Sequence, residues 1–356
     1  MKKKAEVIAF YLPQFHQIPE NDEWWEEGFT EWTNVKKSKP YFKNHYQPRI
    51  PGELGYYDLI KDPEIQHKQG ELAKNHGISA FCYWHYWFGH GKQLLEKPIQ
   101  KVITSGKPDF PFCLTWANET WSGIWNGEPK KILIKQEYPG IKDYEKHFYH
   151  LIEVFADHRY YKVGGKNLFA IYTPYRVPQV KNFIDLWQNL AIKNGLPSFY
   201  FLGVSYMIDE KAIKNGFDGL ILSREYFSKN LKKKYFLELL SNKITGKPLR
   251  TIHYQKISQH FLVDQKLNFP AYPVIINDWD NSARFGSSGI IYHGASPQLY
   301  KKQLEKALNI LDEHQFSHRL IFARAWNEWA EGNYLEPDQK WGRAYLEVIR
   351  DTILEK

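Results

Sequence analysis

The chain has 356 residues, 43% hydrophobic and 25% charged, with neither Gly/Ser nor Pro tracts, which excludes disordered, collagenous and fibrous classes. Forty-eight Lys and Arg against 40 Asp and Glu leave a formal charge of +8, a mild bias toward anionic partners, and two cysteines exclude a disulfide scaffold and a four-Cys zinc site. Aromatic residues make 17% of the chain, more than an ordinary core needs, so some rings are expected to line a ligand surface.

Chain order begins with Lys2–Lys4 and then Val7–Leu12, an apolar run too short for a signal-peptide core and read as a first strand. Nothing approaches the roughly 18 apolar residues of a membrane span, so the expected location is the cytoplasm. Further strand candidates are Ile78–Tyr83, Phe110–Thr115, Asn167–Tyr172, Phe199–Val204, Gly219–Ser223, Ala271–Ile276 and Leu320–Ala325. Unbroken apolar runs such as AFCYW and PVIIN are what parallel strands buried on both faces look like.

Helical patterns lie between them. One follows Asp62-Pro63 and ends at His76-Gly77; another carries Phe183, Leu186, Trp187, Leu190 and Ala191; a third opens at Ser296-Pro297 with a stripe of Leu304, Ala307, Leu308 and Leu311. Eight alternating units predict one α/β domain over 1–356, a single (β/α)8 TIM-type barrel with extended βα loops; a doubly wound open sheet is the alternative. The long connections 13–57, 116–138 and 224–268 all follow strands, on the face where such barrels assemble their chemistry.

The sharpest motif, AWNEWAEGNYLEPD at Ala325–Asp338, sets Glu328, Glu331 and Glu336 among Trp326, Asn327 and Trp329. If the chain turns helically there, Glu328 and Glu331 share one face with Cβ atoms about 5–6 Å apart. Glycoside chemistry needs such a pair, one carboxyl as proton donor and one as nucleophile or base, and an indole wall such as Trp329 would keep one protonated. The bland alternative is an acidic pair favourable at a helix N-terminus.

A second motif, FCYWHYWFGHG at Phe81–Gly91, alternates Tyr83, His85 and Trp87 on one face with Trp84, Tyr86 and Phe88 on the other, either a sugar platform or core packing. TWANETWSGIWNG supplies Trp116, Asn118, Glu119 and Trp125. Strand one, with Tyr11, runs on through FYLPQFH to Gln14 and His16, followed by Glu31 and Trp32, and strand seven ends at Asp278, Trp279 and Asp280. Asp278-x-Asp280 also fits a metal-binding transferase pattern, but one such match carries little weight, and no metal is assigned. The candidate substrate contacts are thus Tyr11, His16, Glu31, Trp32, Tyr83, His85, Tyr86, Trp116, Asn118, Glu119, Trp125, Asp278, Trp279, Asn327 and Glu336. Nucleotide-binding, redox, zincin and hydrolase-elbow motifs are missing from the sequence, and the charge is spread rather than interleaved with a nucleic-acid stacking motif.

FYLPQFHQIPENDEWWEEGFTEWTNV, HYQPRIP, FCYWHYWF, FCLTWANETW and AWNEWAEGNYLEPD closely resemble the WbsX-like glycosyltransferases of bacterial surface-polysaccharide clusters, relatives of glycoside hydrolase family 99. That resemblance implies a (β/α)8 barrel, retaining chemistry on α-mannosides, and Glu328 and Glu331 as the catalytic pair. Glu328 would deprotonate the sugar's own 2-hydroxyl for attack on the anomeric carbon, and Glu331 would be acid and then base. It implies neither metal nor cofactor. Glu27 and the stretch 122–127 depart from the family, which would carry basic residues and an Asp there, and so bear on sugar identity.

The sequence thus points to polysaccharide biosynthesis (O-antigen, capsule or lipopolysaccharide) on a lipid-linked or nucleotide-activated glycan, with an endo-α-mannosidase-like glycosidase and a non-catalytic carbohydrate-binding protein as alternatives. Nucleic acid is not an expected partner. The basic runs Lys2–Lys4 and Lys229–Lys234 are either solvated surface or a peripheral contact with anionic membrane.

Overall fold

The computed structural model describes residues 2–355 apart from 124–127, 207, 209, 224–234, 259 and 264–266. Trp125 and the Lys229–Lys234 run lie outside the described residues.

Eight parallel strands close a barrel: β1 Glu6–Tyr11, β2 Ile78–Trp87, β3 Phe112–Trp116, β4 Lys166–Ile171, β5 Phe199–Ser205, β6 Gly219–Leu222, β7 Ala271–Ile276 and β8 Leu320–Arg324. Closure comes from β1, which pairs β2 in one direction (Ala9 opposite Phe81) and β8 in the other (Ile8 opposite Phe322). The open-sheet alternative is therefore excluded. Each apolar run sits at its predicted place because, with both faces buried, no polar alternation interrupts it.

Two boundaries shift by more than one residue. β2 runs four residues past its predicted end because His85 pairs Trp116 of β3, and Tyr86 pairs Leu94 of a short antiparallel strand. β3 starts two residues late, after Pro111, which has no N–H to donate to a ladder.

Helices α1 Ile65–Asn75, α2 Lys97–Ser105, α3 Ile141–His150, α4 Val180–Lys193, α5 Lys211–Lys214, α6 Phe236–Ile244, α7 Pro297–His314 and α8 Ala344–Ile353 alternate with the strands. α7 starts where Ser296 accepts from the Leu299 N–H at 3.3 Å, with Pro297 in the first turn, and its predicted stripe is buried. α4 likewise buries Phe183, Trp187, Leu190 and Ala191 against the barrel.

The long connections build the rim at the strands' C-terminal ends. After β3, Trp121–Gly123 and Glu128–Ile134 form an antiparallel ribbon. A three-stranded rim sheet joins Arg250–His253, Ile290–His293 and Trp279–Asp280 in that order. Past β8, Asn327–Glu328 pairs Asn333–Tyr334 as a small hairpin.

Candidate active site

The hairpin corrects the helical expectation for the acidic motif. Trp329–Glu331 makes one tight 3-10 turn, ended by Gly332 at φ +63°, so Glu328 lies on a strand and Glu331 in the turn. Gly332 is required twice over: its φ is left-handed, and a Cβ there would sit 2.9 Å from the Arg49 guanidinium. Asn327 fastens the hairpin to the end of β1, its Oδ1 accepting the Leu12 N–H at 2.7 Å and its Nδ2 donating to the Leu12 carbonyl at 3.0 Å. It is a clasp, not part of the cleft wall.

A residue that the sequence reading passed over joins the pair. Arg284, from the short helix Ser282–Phe285 beyond β7, is buried and donates through Nη1 to Glu331 at 2.5 Å and through Nη2 to Glu328 at 3.4 Å. Its Nε donates to Glu31 at 2.8 Å, and Nη2 reaches the same Glu31 oxygen. Three carboxylates from two distant segments, Glu31 after β1 and the Glu328–Glu331 turn after β8, thus surround one guanidinium, whose pKa they raise against the opposing effect of burial. The available hint was NDWDNSARFG after strand seven, in which the reading stopped four residues short of Arg284.

Glu328 also accepts from the Trp84 indole N–H at 3.1 Å. Burial, reinforced by the charge of Glu331 and opposed by Arg284, pushes its carboxyl up to about 7. Arg324 at the end of β8 lies 3.7 Å from Glu331 and stacks its guanidinium over Trp279 at 5.2 Å. Trp329 is not the indole wall of this pair. It stacks on Tyr334 at 3.7 Å and donates to Glu336 at 2.6 Å.

Glu328 and Glu331 open into a cleft of about 420 Å³, within the range of small-ligand sites. Of the sequence-predicted contacts, Tyr86, Glu119 and Trp279 line it with them. Gln14, just past the end of β1, lines it as well, and so do Trp84, Trp121 and Tyr172, which are not among the expected contacts. Trp84 lies flat on Phe10 at 4.8 Å, while Trp121 of the ribbon meets Tyr86 edge-on at 5.0 Å. The side-chain nitrogens of Gln14 and Trp279 are buried donors with no acceptor among the described residues. Glu119, partly exposed, receives Arg176 at 3.0 Å, and burial raises its pKa.

The other predicted contacts do not line this cleft, for a reason that strand parity makes plain. Side chains alternate across β2, and Trp84 and Tyr86 point to the cleft, so Tyr83, His85 and Trp87 point to the helix layer. Tyr83 packs on Tyr11 at 4.2 Å; Trp87 donates to Asp143 of α3 at 2.9 Å; His85 meets His147 of α3 at 2.7 Å. Burial drives the His85 pKa down to about 3, so that ring is neutral. Trp116 follows the same outward parity, donating to the Trp87 carbonyl at 2.9 Å and packing on Phe183. Tyr11 donates to Gln69 of α1 at 2.7 Å.

Asn118 ties the end of β3 to Thr173, and Trp32 donates to the Tyr57 carbonyl at 2.8 Å. Asp278 and Asp280 both face Arg49, at 2.9 and 3.7 Å, and Asp280 also meets His45. Glu336 is buried beneath the hairpin, accepting from Tyr57, Gln69 and Trp329. His16 borders a separate cavity beside Asp58 and Lys97. Glu31 acts on the cleft through Arg284.

With this geometry in place, the comparisons decide the family. The family model of glycosyltransferase WbsX matches residues 7–349. The chain belongs to the WbsX glycosyltransferase family. Two WxcX proteins, from Xanthomonas campestris pv. campestris strains ATCC 33913 and B100, are each 35% identical over 350 residues, 98% of this chain. The chain spans about half, 50%, of the length of these curated relatives.

Among solved structures, a glycoside hydrolase-like protein aligns over 100% of this chain and 95% of its own at TM-score 0.64 and 11% identity. The family 99 endo-α-mannosidase of Bacteroides thetaiotaomicron aligns over 99% and 96% at TM-score 0.57 with 14% identity. At such identities the likeness concerns the barrel fold. The family description is that of a glycosyltransferase, and the fold is one shared with a glycoside hydrolase barrel. No helix among the described residues is long and apolar enough to cross a membrane.

Proposed function

We propose that this WbsX protein is a retaining glycan-active enzyme of bacterial surface-polysaccharide assembly, acting through Glu328 and Glu331 on the glycosidic bond of a mannose-like sugar. The observation that carries the reading is the single guanidinium of Arg284 holding both carboxylates at one end of an aromatic-walled cleft. One anomeric centre can then meet both groups.

In the form of the enzyme that has Glu328 ionised and a proton on Glu331, Glu328 takes the proton of the sugar's 2-hydroxyl, and O2 closes on C1. Glu331 gives a proton to the departing oxygen as the C1–O bond breaks. In the return step an acceptor hydroxyl attacks C1 and reopens the C1–O2 bond, Glu331 takes the acceptor's proton, and Glu328 restores one to O2. Two inversions at C1 give retention. The donors of Gln14 and Trp279 and the acceptor of Glu119 suit hydroxyl recognition.

One observation favours hydrolysis or transfer from a glycan over use of a nucleotide sugar. Among the described residues, the cleft arginines Arg284 and Arg324 face carboxylates, so their charge is already compensated, and a neutral leaving group fits better than a diphosphate.

Labelled nucleotide sugar, lipid-linked oligosaccharide and mannan, offered separately, distinguish these donors, and product NMR reads the anomeric configuration. Glu331→Gln is expected to lower turnover by several orders of magnitude while sugar binding persists. Wild-type turnover in that variant, or an inverted product, would end this reading.

A further inference from the structure

Helix α6, in the connection between β6 and β7, packs one mixed stripe on its own domain and carries a second, apolar stripe on its outer side. The inner stripe is Tyr235, Leu239 and Asn242, at spacings of four and three. Tyr235 donates to the Lys256 carbonyl at 3.0 Å, Leu239 packs on the core, and Asn242 donates to the Thr251 carbonyl at 2.7 Å. The outer stripe is Phe236, Leu237, Leu240 and Ile244, whose separations of three, four, seven and eight residues put them on one face. These four are 60%, 78%, 46% and 83% exposed, and Leu249 just beyond the helix is 54% exposed. Single exposed apolar side chains are ordinary, but a contiguous stripe of four on one short helix marks a contact surface.

Charge around the stripe indicates the occupant. Lys243 and Arg250 are exposed beside it and Lys247 is half-buried, against Glu238 as the single acidic residue between 235 and 250. In the sequence, Lys229 and Lys232–Lys234 come immediately before the helix. A helix with one face packed on its own domain, the other apolar, and a basic surround suits the boundary of a bilayer bearing anionic headgroups. A protein partner of ordinary polarity would not call for so one-sided a charge.

The position fits as well. α6 leads into Arg250–His253, the first strand of the rim sheet, whose third strand carries the cleft residue Trp279. Two strand spacings, about 10 Å, separate those strands, so the stripe and the cleft belong to the same rim.

We propose that α6 is a membrane-docking element that seats the mouth of the barrel on an anionic phospholipid surface. This inference stands apart from the catalytic reading, since it concerns binding alone. A glycan carried on a lipid anchor would thereby be presented beside the cleft.

The test is flotation of the full chain with vesicles of phosphatidylglycerol mixed with phosphatidylcholine, and with phosphatidylcholine alone. Wild type should float with the anionic vesicles and less so at high salt. Leu237→Ser combined with Ile244→Ser should lower the bound fraction about tenfold or more while the thermal melt is retained. A second readout needs no loss of apolar surface. Leu237→Cys, labelled with an environment-sensitive dye while the native Cys82 and Cys113 stay buried, should shift to the blue on adding anionic vesicles.

Equal flotation of wild type and the double variant, or no flotation with either vesicle, overturns the proposal. So does a dimer, seen by light scattering, that the same two substitutions dissolve, because the stripe would then be a self-contact.

Discussion

Replacing Glu328 by Gln should abolish activity and yet stabilise the folded chain, and the gain should depend on pH. The carboxyl titrates at about 7 in the folded protein, raised by burial and by Glu331, against an ordinary 4.5. A folded pKa above the unfolded one means that the native state binds the proton more tightly. The associated stability is fully present below pH 4.5 and is lost as pH rises through 7. At about 1.4 kcal/mol per pH unit, ionising Glu328 in its buried site costs about 3 kcal/mol above neutrality.

Gln keeps the shape and a carbonyl acceptor for Trp84 and carries no charge to desolvate. It gives up part of the attraction to Arg284, so the net gain at pH 8 should be about 1–3 kcal/mol, shrinking to near zero at pH 4. Thermal melts of both proteins across that range, with activity measured in parallel, make the test. A Gln variant no more stable relative to wild type at pH 8 than at pH 4 would refute the reasoning, and would mean that Glu328 is not held out of water as described.

Arg284→Met should destabilise by about 3–5 kcal/mol, because Glu31, Glu328 and Glu331 lose their shared counter-charge in a buried site. A melt within a degree of wild type would remove Arg284 from that role. Trp84→Phe keeps the stacking on Phe10 but deletes the N–H that favours ionised Glu328. The acidic limb of the pH–rate profile should move up by about one to two units, since a hydrogen bond to a charged group contributes about 1.5–3 kcal/mol. Gly332→Ala should lower stability by about 1–3 kcal/mol through its left-handed φ and its contact with Arg49, and should lower turnover through the displaced hairpin. Turnover unchanged in a destabilised Gly332→Ala protein would separate the hairpin from the chemistry.

Much of the barrel was legible because its signal is local. A strand buried on both faces reads as an unbroken apolar run, and a covering helix reads as a 3.6-residue stripe, as in Val274–Ile276 and Leu304–Leu311. The acidic motif was legible for the same reason, since Glu328 and Glu331 are three residues apart wherever the chain goes. Its local shape was not: the i,i+3 spacing suggested a helix, whereas pairing of Asn327 with Tyr334 and the clasp of Asn327 on Leu12 impose a hairpin.

Parity was the second gap. Alternation along FCYWHYW correctly separated Trp84 and Tyr86 from Tyr83, His85 and Trp87, but nothing in seven consecutive residues says which set faces the barrel mouth. Tyr83, His85 and Trp116 were chosen because polar-tipped aromatics resemble sugar contacts. They serve instead as the layer between barrel and helices, where Tyr11, His147 and Phe183 respectively receive them.

By itself, then, the sequence determined the strand count, the order of strands and helices, and the carboxylates at the end of the last strand, all carried by neighbouring residues. Tertiary structure alone decided which face of each strand looks into the cleft, and that Arg284 gathers Glu31, 253 residues away, together with Glu328 and Glu331. Barrel closure fixes the first through a register that no single strand contains. Desolvation fixes the second, since charges taken out of water must find counter-charges in space, however far apart they lie along the chain.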